Sequence, residues 1–330
     1  MKIIVDGMGG DKGYKEIVKG CIDASKELGV NLLIVGEQEK IEEELNKYVY
    51  SKDTIDIINA SQIIKNEDEP ALAIRRKKDS SMVIGLKALA EDKGDGFISA
   101  GSTGALLAGG LFIVKRIKGI ERAALTTVYP TINGLSLLID AGANVDCKPE
   151  YLKQFAIMGS IYFEKVLEKK APKVGLVNVG TEEGKGNTLV KESYDLIKEL
   201  NLNFIGNIEA RDIPKGIIDV IVCDGFIGNI LLKLTEGMAI SLFTALKEEL
   251  TQSFKSKIGA TMLKSQLSSF KGRMDYREYG GAPLLGLEKP VFKAHGSSDA
   301  LAIKNAIRQV VNFNKKDVIN VIKNDININK

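Results

Sequence analysis

Phe97-Ile98-Ser99-Ala100-Gly101-Ser102-Thr103-Gly104-Ala105-Leu106-Leu107 reads as a short apolar strand, a turn of small residues and the start of an apolar helix. A strand feeding straight into a helix is half of a βαβ unit. Glycines at 101 and 104 let the backbone approach a ligand closely, because no Cβ intervenes. A helix opening on Ser102 or Thr103 aims several N–H groups, and the positive end of its dipole, at one point. Taken alone, the turn is either an anion site or an ordinary tight βα connection.

The same grammar recurs on both sides of it. Toward the N-terminus, apolar runs at 2–5, 32–35 and 55–58 predict strands, with a helix carrying Ile17, Val18, Cys21, Ile22 and Leu28 and another over 38–48 between them. Pro70 suits a helix first turn that leads into Arg75-Arg76-Lys77-Lys78, and Ser80 or Ser81 can cap the helix carrying Met82, Leu86 and Leu89. Toward the C-terminus, 125–128 and 135–139 read as a strand pair closed by Asn133-Gly134. A long helix from Pro149 to about Lys169 and strands at 174–177, 204–205 and 220–222 follow. The alternation predicts a three-layer α/β/α sandwich around a mostly parallel sheet. In such sheets ligands bind outside the carboxyl ends of the strands. Polar turns fall at that end: 6–11, 140–144, 178–187, 206–209 and 224–229. A last amphipathic helix is expected over about 299–313, followed from Lys315 by a tail rich in Asn, Ile and Lys whose end is expected to fray.

The 330 residues, 44% apolar and 27% charged, are ordinary for a soluble globular protein and can bury a full core, in two lobes or, as expected here, in a single domain spanning 1–330. A net charge of +3 argues against polyanion binding by the protein as a whole, so no nucleic-acid partner is expected. Cys21, Cys147 and Cys223 are scattered and form no CxxC pair, which points to a reducing compartment. Asp6 interrupts the first apolar run, so it reads as a strand rather than a leader, and the longest apolar stretch, 105–114, is too short and glycine-broken to span a membrane. A cytoplasmic location follows as the expectation.

From about 230 to 274 the pattern is helix only, with a protrusion expected over about 238–275. Between 251 and 274 no acidic residue occurs, while Phe254, Ile258, Met262, Leu263, Leu267, Phe270 and Met274 recur at helical spacing among Lys255, Lys257, Lys264, Lys271 and Arg273. This stripe either packs on a partner subunit or touches a bilayer headgroup region or an acidic protein.

Several chemistries fail on their spacing. The turn Gly7-Met8-Gly9-Gly10-Asp11-Lys12 ends in lysine where a dinucleotide fingerprint needs glycine, and Asp11 would repel a pyrophosphate. Gly180-Thr181-Glu182-Glu183-Gly184-Lys185 is one residue short of a P-loop and acidic inside. No G-x-S-x-G elbow is present, and His295 is the only histidine, which excludes a multi-histidine metal site. Asp6, Asp11, Asp140 and Asp224 near strand ends have the chemistry to hold Mg²⁺, but each is more simply a turn or cap residue. Neither a metal nor a cofactor is expected. What remains is a set of anion-cradling turns facing one crevice, with Lys185, Lys293 and His295 nearby. Phosphate needs positioning more than a general base, and a thiolate is a tolerable leaving group, so acyl transfer from a thioester to phosphate needs no Ser-His-Asp device.

The motifs Asp6-Gly7-Met8-Gly9-Gly10-Asp11, Ser99 to Ala108, Asp140-Ala141-Gly142-Ala143-Asn144, Gly206-Asn207-Ile208-Glu209, Asp224 to Asn229, Glu278 to Gly286 and His295-Gly296-Ser297-Ser298 resemble, in order, those of the bacterial acyl-carrier-protein:phosphate acyltransferases. Ser102 stands where that family usually has asparagine, and Gly7 where it usually has alanine. The resemblance implies a fold similar to isocitrate and isopropylmalate dehydrogenases and to phosphate acetyltransferase. It implies conversion of long-chain acyl-ACP and inorganic phosphate to acyl phosphate and free ACP, feeding phospholipid synthesis. It also implies a homodimer attached peripherally to the inner face of the membrane, with a membrane glycerol-3-phosphate acyltransferase as a further candidate partner. A short-chain phosphate acyltransferase using acyl-CoA is the alternative.

For the site, the turn chemistry gives named expectations. Lys185 and His295, with helix N-termini near Ser102-Thr103 and Ile227-Gly228, are expected to hold phosphate and the developing oxyanion. Asn178, Asn207 and Asn229 are expected to position the thioester carbonyl. Gly9, Gly10, Asp11, Gly101, Ser102, Thr103, Gly104, Asp224, Gly225 and Gly228 are expected to bind phosphate or substrate. Phe254, Ile258, Met262, Leu263, Lys264 and Leu267 are expected to meet the membrane or the carrier protein.

Overall fold

In the computed structural model, which describes residues 1–273 and 280–328, the apolar runs become strands β1 (Lys2–Asp6), β2 (Asn31–Gly36), β3 (Ile55–Asn59) and β4 (Gly96–Ser99). They are followed by β5 (Ala124–Thr131), β6 (Gly134–Ile139), β7 (Val174–Asn178), β8 (Phe204–Glu209), β9 (Val220–Val222), β10 (Gly281–Leu285) and β11 (Val291–Ala294). These form one sheet in the order β3-β2-β1-β4-β11-β10-β5-β6-β9-β7-β8. The pairings β10–β11, β10–β5 and β5–β6 are antiparallel and the rest are parallel, so the mostly parallel sheet expected from the sequence is the one observed.

Alternation of side chains along each strand divides the apolar residues between two cores. Ile3 and Val5 of β1 point to one face, where they pack with helices α1 (Tyr14–Leu28), α6 (Pro149–Val166) and α11 (Ala300–Lys315). Ile4 points to the other, under α4 (Ser81–Ala90) and α5 (Thr103–Gly109). The shorter helices α2 (Gln38–Leu45) and α3 (Pro70–Arg76), and α7 (Thr188–Lys198), complete the layers. Layer by layer, this is the α/β/α sandwich.

Three expectations are corrected. The segment Gly206–Glu209 is the second half of β8 rather than a turn; Gly206 has φ +91° beside a register shift in the β7–β8 ladder, so the glycine marks a bulge. Strands β10 and β11 were not foreseen, although they sit in mid-sheet; Pro283 inside β10 removes a donor and hides the strand pattern. Most of the C-terminal tail forms a helix that was not foreseen: α12 (Val318–Ile328) packs on α6 and buries Val318, Ile322 and Ile326 at i, i+4 and i+8, while the last two residues, where the end of the tail was expected to fray, lie outside the described residues.

The helical region is a single 27-residue helix, α8 (Gly225–Thr251), followed by α9 (Phe254–Met262) and α10 (Lys264–Arg273). Only Gly225 and Gly228 of α8 are buried. Phe226, Ile230, Leu234, Met238, Ile240 and Leu242 are all exposed. By length and composition α8 is apolar enough to cross a membrane, with a mean hydropathy of 1.4 over its most apolar window, so the longest candidate is here and not at 105–114. Of the stripe, Phe254, Ile258, Met262, Leu263 and Lys264 are exposed and Leu267 is half-buried, while Phe270 packs against Phe243 at 5.8 Å between ring centroids. Met274, and the start of the 278–286 motif, lie outside the described residues.

Candidate active site

At the carboxyl end of β1 and β4 two glycine-rich loops lock together. The Ser99 hydroxyl donates to the buried Asp6 carboxylate at 2.6 Å and accepts from the Gly101 N–H at 3.0 Å. The Met8 N–H also reaches Asp6, at 3.2 Å. Burial pushes the Asp6 carboxyl above its usual range, and the hydroxyls of Ser81 and Ser99 pull it back. Gly9 lies so close to the other loop that a Cβ there would stand 2.7 Å from the Gly101 nitrogen. Only glycine allows the two loops to meet backbone to backbone.

The opening of α5 follows from this anchoring. Ser102 is the N-cap: its hydroxyl accepts from Ala105 N–H at 3.5 Å and its carbonyl from Leu106 N–H at 2.9 Å. That leaves Thr103 and Gly104, the first two helical residues, with N–H groups free of intrahelical partners. Thr103 and Gly101 line a cavity of about 480 Å³, and Ser102, whose side chain is occupied as the cap, does not. Thr103 is therefore the side chain presented at this turn.

Across the cavity stands β11, beside β4 with Lys293 opposite Ser99. The Lys293 ammonium donates to the Ala100 carbonyl at 3.2 Å and to the Ala294 carbonyl. Burial lowers its pKa to about 8, against the opposing pull of Asp11 and Asp6. His295, two residues on, accepts the Ser297 N–H at Nδ1 over 3.2 Å, which leaves the proton of the neutral ring on Nε2. Burial also lowers the His295 pKa, so the neutral ring is favoured. Its Nε2 stands 3.9 Å from a Glu236 carboxylate oxygen, whose other oxygen is 2.9 Å from the Lys233 ammonium.

The third wall is α8, but not its N-terminus. There Asp224 caps Ile227 N–H at 2.8 Å, the Gly225 N–H goes to the Asn144 carbonyl at 2.7 Å, and a Cβ on Gly228 would sit 1.8 Å from the Asp140 carbonyl oxygen. The donors expected to face phosphate are spent on the chain itself, and Asp224, Gly225 and Gly228 do not line the cavity. Asp140 is spent in the same way, since its carboxylate accepts from the backbone of Leu125, Gly142, Ala143 and Asn144. One turn further along, Asn229, Leu232, Lys233 and Glu236 share a helix face and do line it. Leu125 and Val128 of β5 supply an apolar side.

The structure thus brings together His295, Asn229, Asp11, Gly101 and Thr103, with Gly9 and Gly10 supporting the loop behind them. Gly104, next to Thr103 in the chain, packs on Pro70 and does not itself line the cavity. It does not bring in Lys185, Asn178 or Asn207. Asn178 donates to the Lys185 carbonyl at 3.1 Å and Asn207 to the Glu182 carbonyl at 3.0 Å, so both amides hold the 179–187 loop. The Asn207 amide oxygen, Oδ1, is buried without a partner among the described residues. Five strand spacings of about 4.8 Å separate β7 from β11, roughly 24 Å along the sheet. Lys185 is exposed on that loop, outside the lining.

Sequence reasoning missed Lys233 and Glu236 and left Lys293 as a bystander. The signal was available for the first two: they continue the face of Asn229 at i+4 and i+7 through an otherwise apolar helix. For Lys293 it was a single lysine inside the apolar run Val-Phe-Lys-Ala.

A family model described as "Fatty acid synthesis protein" matches residues 1–321. A phosphate acyltransferase from Alkaliphilus oremlandii is 56% identical over 326 residues, covering 99% of this chain and 97% of its own. One from Clostridioides difficile is 54% identical, covering 97% and 94%. The chain belongs to the phosphate acyltransferase family. Among solved structures, a phosphotransacetylase from Streptococcus pyogenes superposes with a TM-score of 0.63 at 18% identity, covering 97% of this chain and 94% of that one. A 4-hydroxythreonine-4-phosphate dehydrogenase from Klebsiella pneumoniae gives 0.54 at 11% identity, covering 94% and 96%. These place the family fold among the α/β folds expected from the motifs.

Proposed function

We propose that this chain is an acyltransferase that moves a long-chain acyl group from the thioester of acyl carrier protein to inorganic phosphate, releasing acyl phosphate and free carrier for phospholipid synthesis. The observation that carries the reading is the cavity itself: Lys293, His295 and Lys233 face the free N–H groups of α5, with an apolar side of Leu125, Val128 and Leu232 next to them. The cationic part suits phosphate and the apolar part suits an acyl group.

In this reading phosphate sits between the Thr103–Gly104 N–H groups and the Lys293 ammonium. Its oxygen attacks the thioester carbonyl, forming a C–O bond while the C–S bond breaks. The Asn229 amide and the Nε2–H of His295 stabilise the oxyanion. The proton given up by hydrogen phosphate passes to the departing sulfur, which balances the step, while His295, held at Nδ1 by Ser297 and flanked by Glu236, keeps its Nε2–H on the oxyanion. Asn229, His295, Gly101, Thr103 and Gly104 keep the roles expected of them, whereas Asn178 and Asn207 act by holding the loop of Lys185. Lys185, an exposed cation outside the cavity, meets incoming substrate rather than the reacting atoms. We read Asp224, Gly225 and Gly228 as a structural seat for α8.

The open apolar side of α8 is read as the homodimer face and the 254–267 stripe as a peripheral membrane contact on the cytoplasmic side. Half-burying one such side chain yields about 1 kcal/mol, and each basic residue near anionic lipid adds about the same, enough for reversible attachment.

The test is phosphate-dependent discharge of acyl-ACP with the product trapped as hydroxamate. Turnover of palmitoyl-ACP well above that of acetyl-CoA supports the reading. The reverse ratio establishes the short-chain, CoA-dependent alternative.

A further inference from the structure

Beside the cavity lies a surface that the chemistry above does not use. Helix α3 and the helix of α5, which continues through a π-turn over Gly110–Val114, run side by side away from the pocket. At the near end Pro70 packs on Gly104, and Asn66, just before α3, lines the cavity. At the far end the Arg75 guanidinium stacks over the Phe112 ring, 5.7 Å from its centroid. Phe112 is 54% exposed and Leu72 44% exposed, an apolar centre bordered by Arg75, Arg76, Lys78 and Lys115.

Of the acids on the same segment, Glu67 is exposed just ahead of α3 and the other three are occupied. Asp68 pairs with Lys77 at 2.6 Å, Glu69 caps α3, and Asp79 accepts from Ser61. Arg75, Arg76, Lys78 and Lys115 enter no ion pair among the described residues. The result is a net-positive rim around exposed aromatic and leucine side chains, the complement of an amphipathic acidic helix.

We propose that this α3–α5 face docks the acidic carrier protein that presents the acyl thioester; the inference rests on the function proposed above. Distance selects it over the basic stripe of 254–267. Eight residues of helix, roughly 12 Å, separate Gly104 at the pocket from Phe112. Along α8, 15 residues, roughly 22 Å, separate Glu236, the last cavity-lining residue of that helix, from its end at Thr251, ahead of that stripe. A carrier seated on α3–α5 reaches the cavity past Asn66 with a flexible thioester arm, and one seated beyond Thr251 has about twice as far to reach.

The experiment compares two acyl donors, acyl-ACP and the same acyl group on pantetheine, which lacks the acidic protein. Arg75→Glu/Arg76→Glu is expected to raise the KM for acyl-ACP at least tenfold and to leave kcat/KM for acyl-pantetheine within twofold. Lys115→Glu alone is expected to act in the same direction. Raised salt reproduces the effect in the unmodified enzyme, because exposed charges are screened. A matched reversal at Lys170 and Lys191, on the opposite side of the sheet, leaves both donors unaffected. An unchanged KM for acyl-ACP in the double variant overturns the proposal, as does an equal loss with both donors in that variant and in Lys115→Glu. Failure of the unmodified enzyme to discharge acyl-ACP at all overturns instead the function on which it rests.

Discussion

Lys293 offers the sharpest test of the site, because its charge is available at neutral pH and lost soon above it. With a pKa near 8, its ammonium is about nine-tenths protonated at pH 7 and about one-tenth protonated at pH 9. If that ammonium holds phosphate, kcat/KM for phosphate falls just under twofold from pH 7 to 8 and about tenfold from pH 7 to 9. The tenfold loss corresponds to about 1.4 kcal/mol in the barrier. Phosphate is already dianionic at the upper end, so the fall belongs to the enzyme. Initial rates at saturating acyl donor and varied phosphate read it directly, with phosphate-free controls for thioester hydrolysis. Lys293→Arg keeps its charge at every pH used and flattens the alkaline limb at a lower absolute rate. Lys293→Met abolishes phosphate-dependent turnover without lowering the melting temperature. The sign for stability is opposite to that for rate. The folded pKa lies below the unfolded one, so the unfolded chain binds more protons between about pH 8 and 10.5, and this lysine favours folding more as pH rises through that window. A kcat/KM that stays flat from pH 7 to 9, or the same alkaline fall in Lys293→Arg, refutes the assignment of phosphate to this ammonium.

Glu236→Gln is expected to lower kcat about tenfold and to shift the acid limb of the rate profile to lower pH, since the Glu236 charge opposes the burial that depresses His295. A variant that merely loosens the fold would leave the limb where it is. Lys185→Ala is expected to raise KM with kcat within twofold, as suits an exposed cation outside the cavity; steady-state kinetics with both substrates decides. Asp224→Ala removes the cap of α8 and should cost about 1 kcal/mol in a denaturation experiment, with KM for phosphate unchanged. Leu263→Glu should reduce sedimentation with anionic vesicles severalfold, and equal binding by the variant would return the 254–267 stripe to a dimer or packing role.

Most of the sheet was legible because its strands are short apolar runs between turn residues, and the cap at Ser102 could be placed within one residue. Strands β10 and β11 were not, since a proline and a four-residue length carry little pattern, yet they seat Lys293 and His295 in mid-sheet. The largest shift in the site came from α8. Its N-terminal motif reads as an anion cradle in sequence, but folding presses Gly228 against the Asp140 carbonyl and fills the donors from within. Sequence shows that donors exist at a turn; it does not show what the same chain does with them. The asparagines mislead for a related reason, because Asn178 and Asn207 stand at strand ends like ligand contacts but are taken up by neighbouring carbonyls.

One consequence of α8 reaches beyond the pocket. The helix carries Asn229, Lys233 and Glu236 on one side and a row of uncovered apolar side chains on the other. A wall supported on one side only is as firm as whatever covers the other, so catalytic competence becomes a matter of mass action. If the homodimer proposed above supplies that cover, dilution below its dissociation constant is expected to loosen α8 and lower turnover per enzyme molecule, although every group lining the cavity is intact. Specific activity would then vary with enzyme concentration, and lag phases after dilution would report how fast that cover is lost.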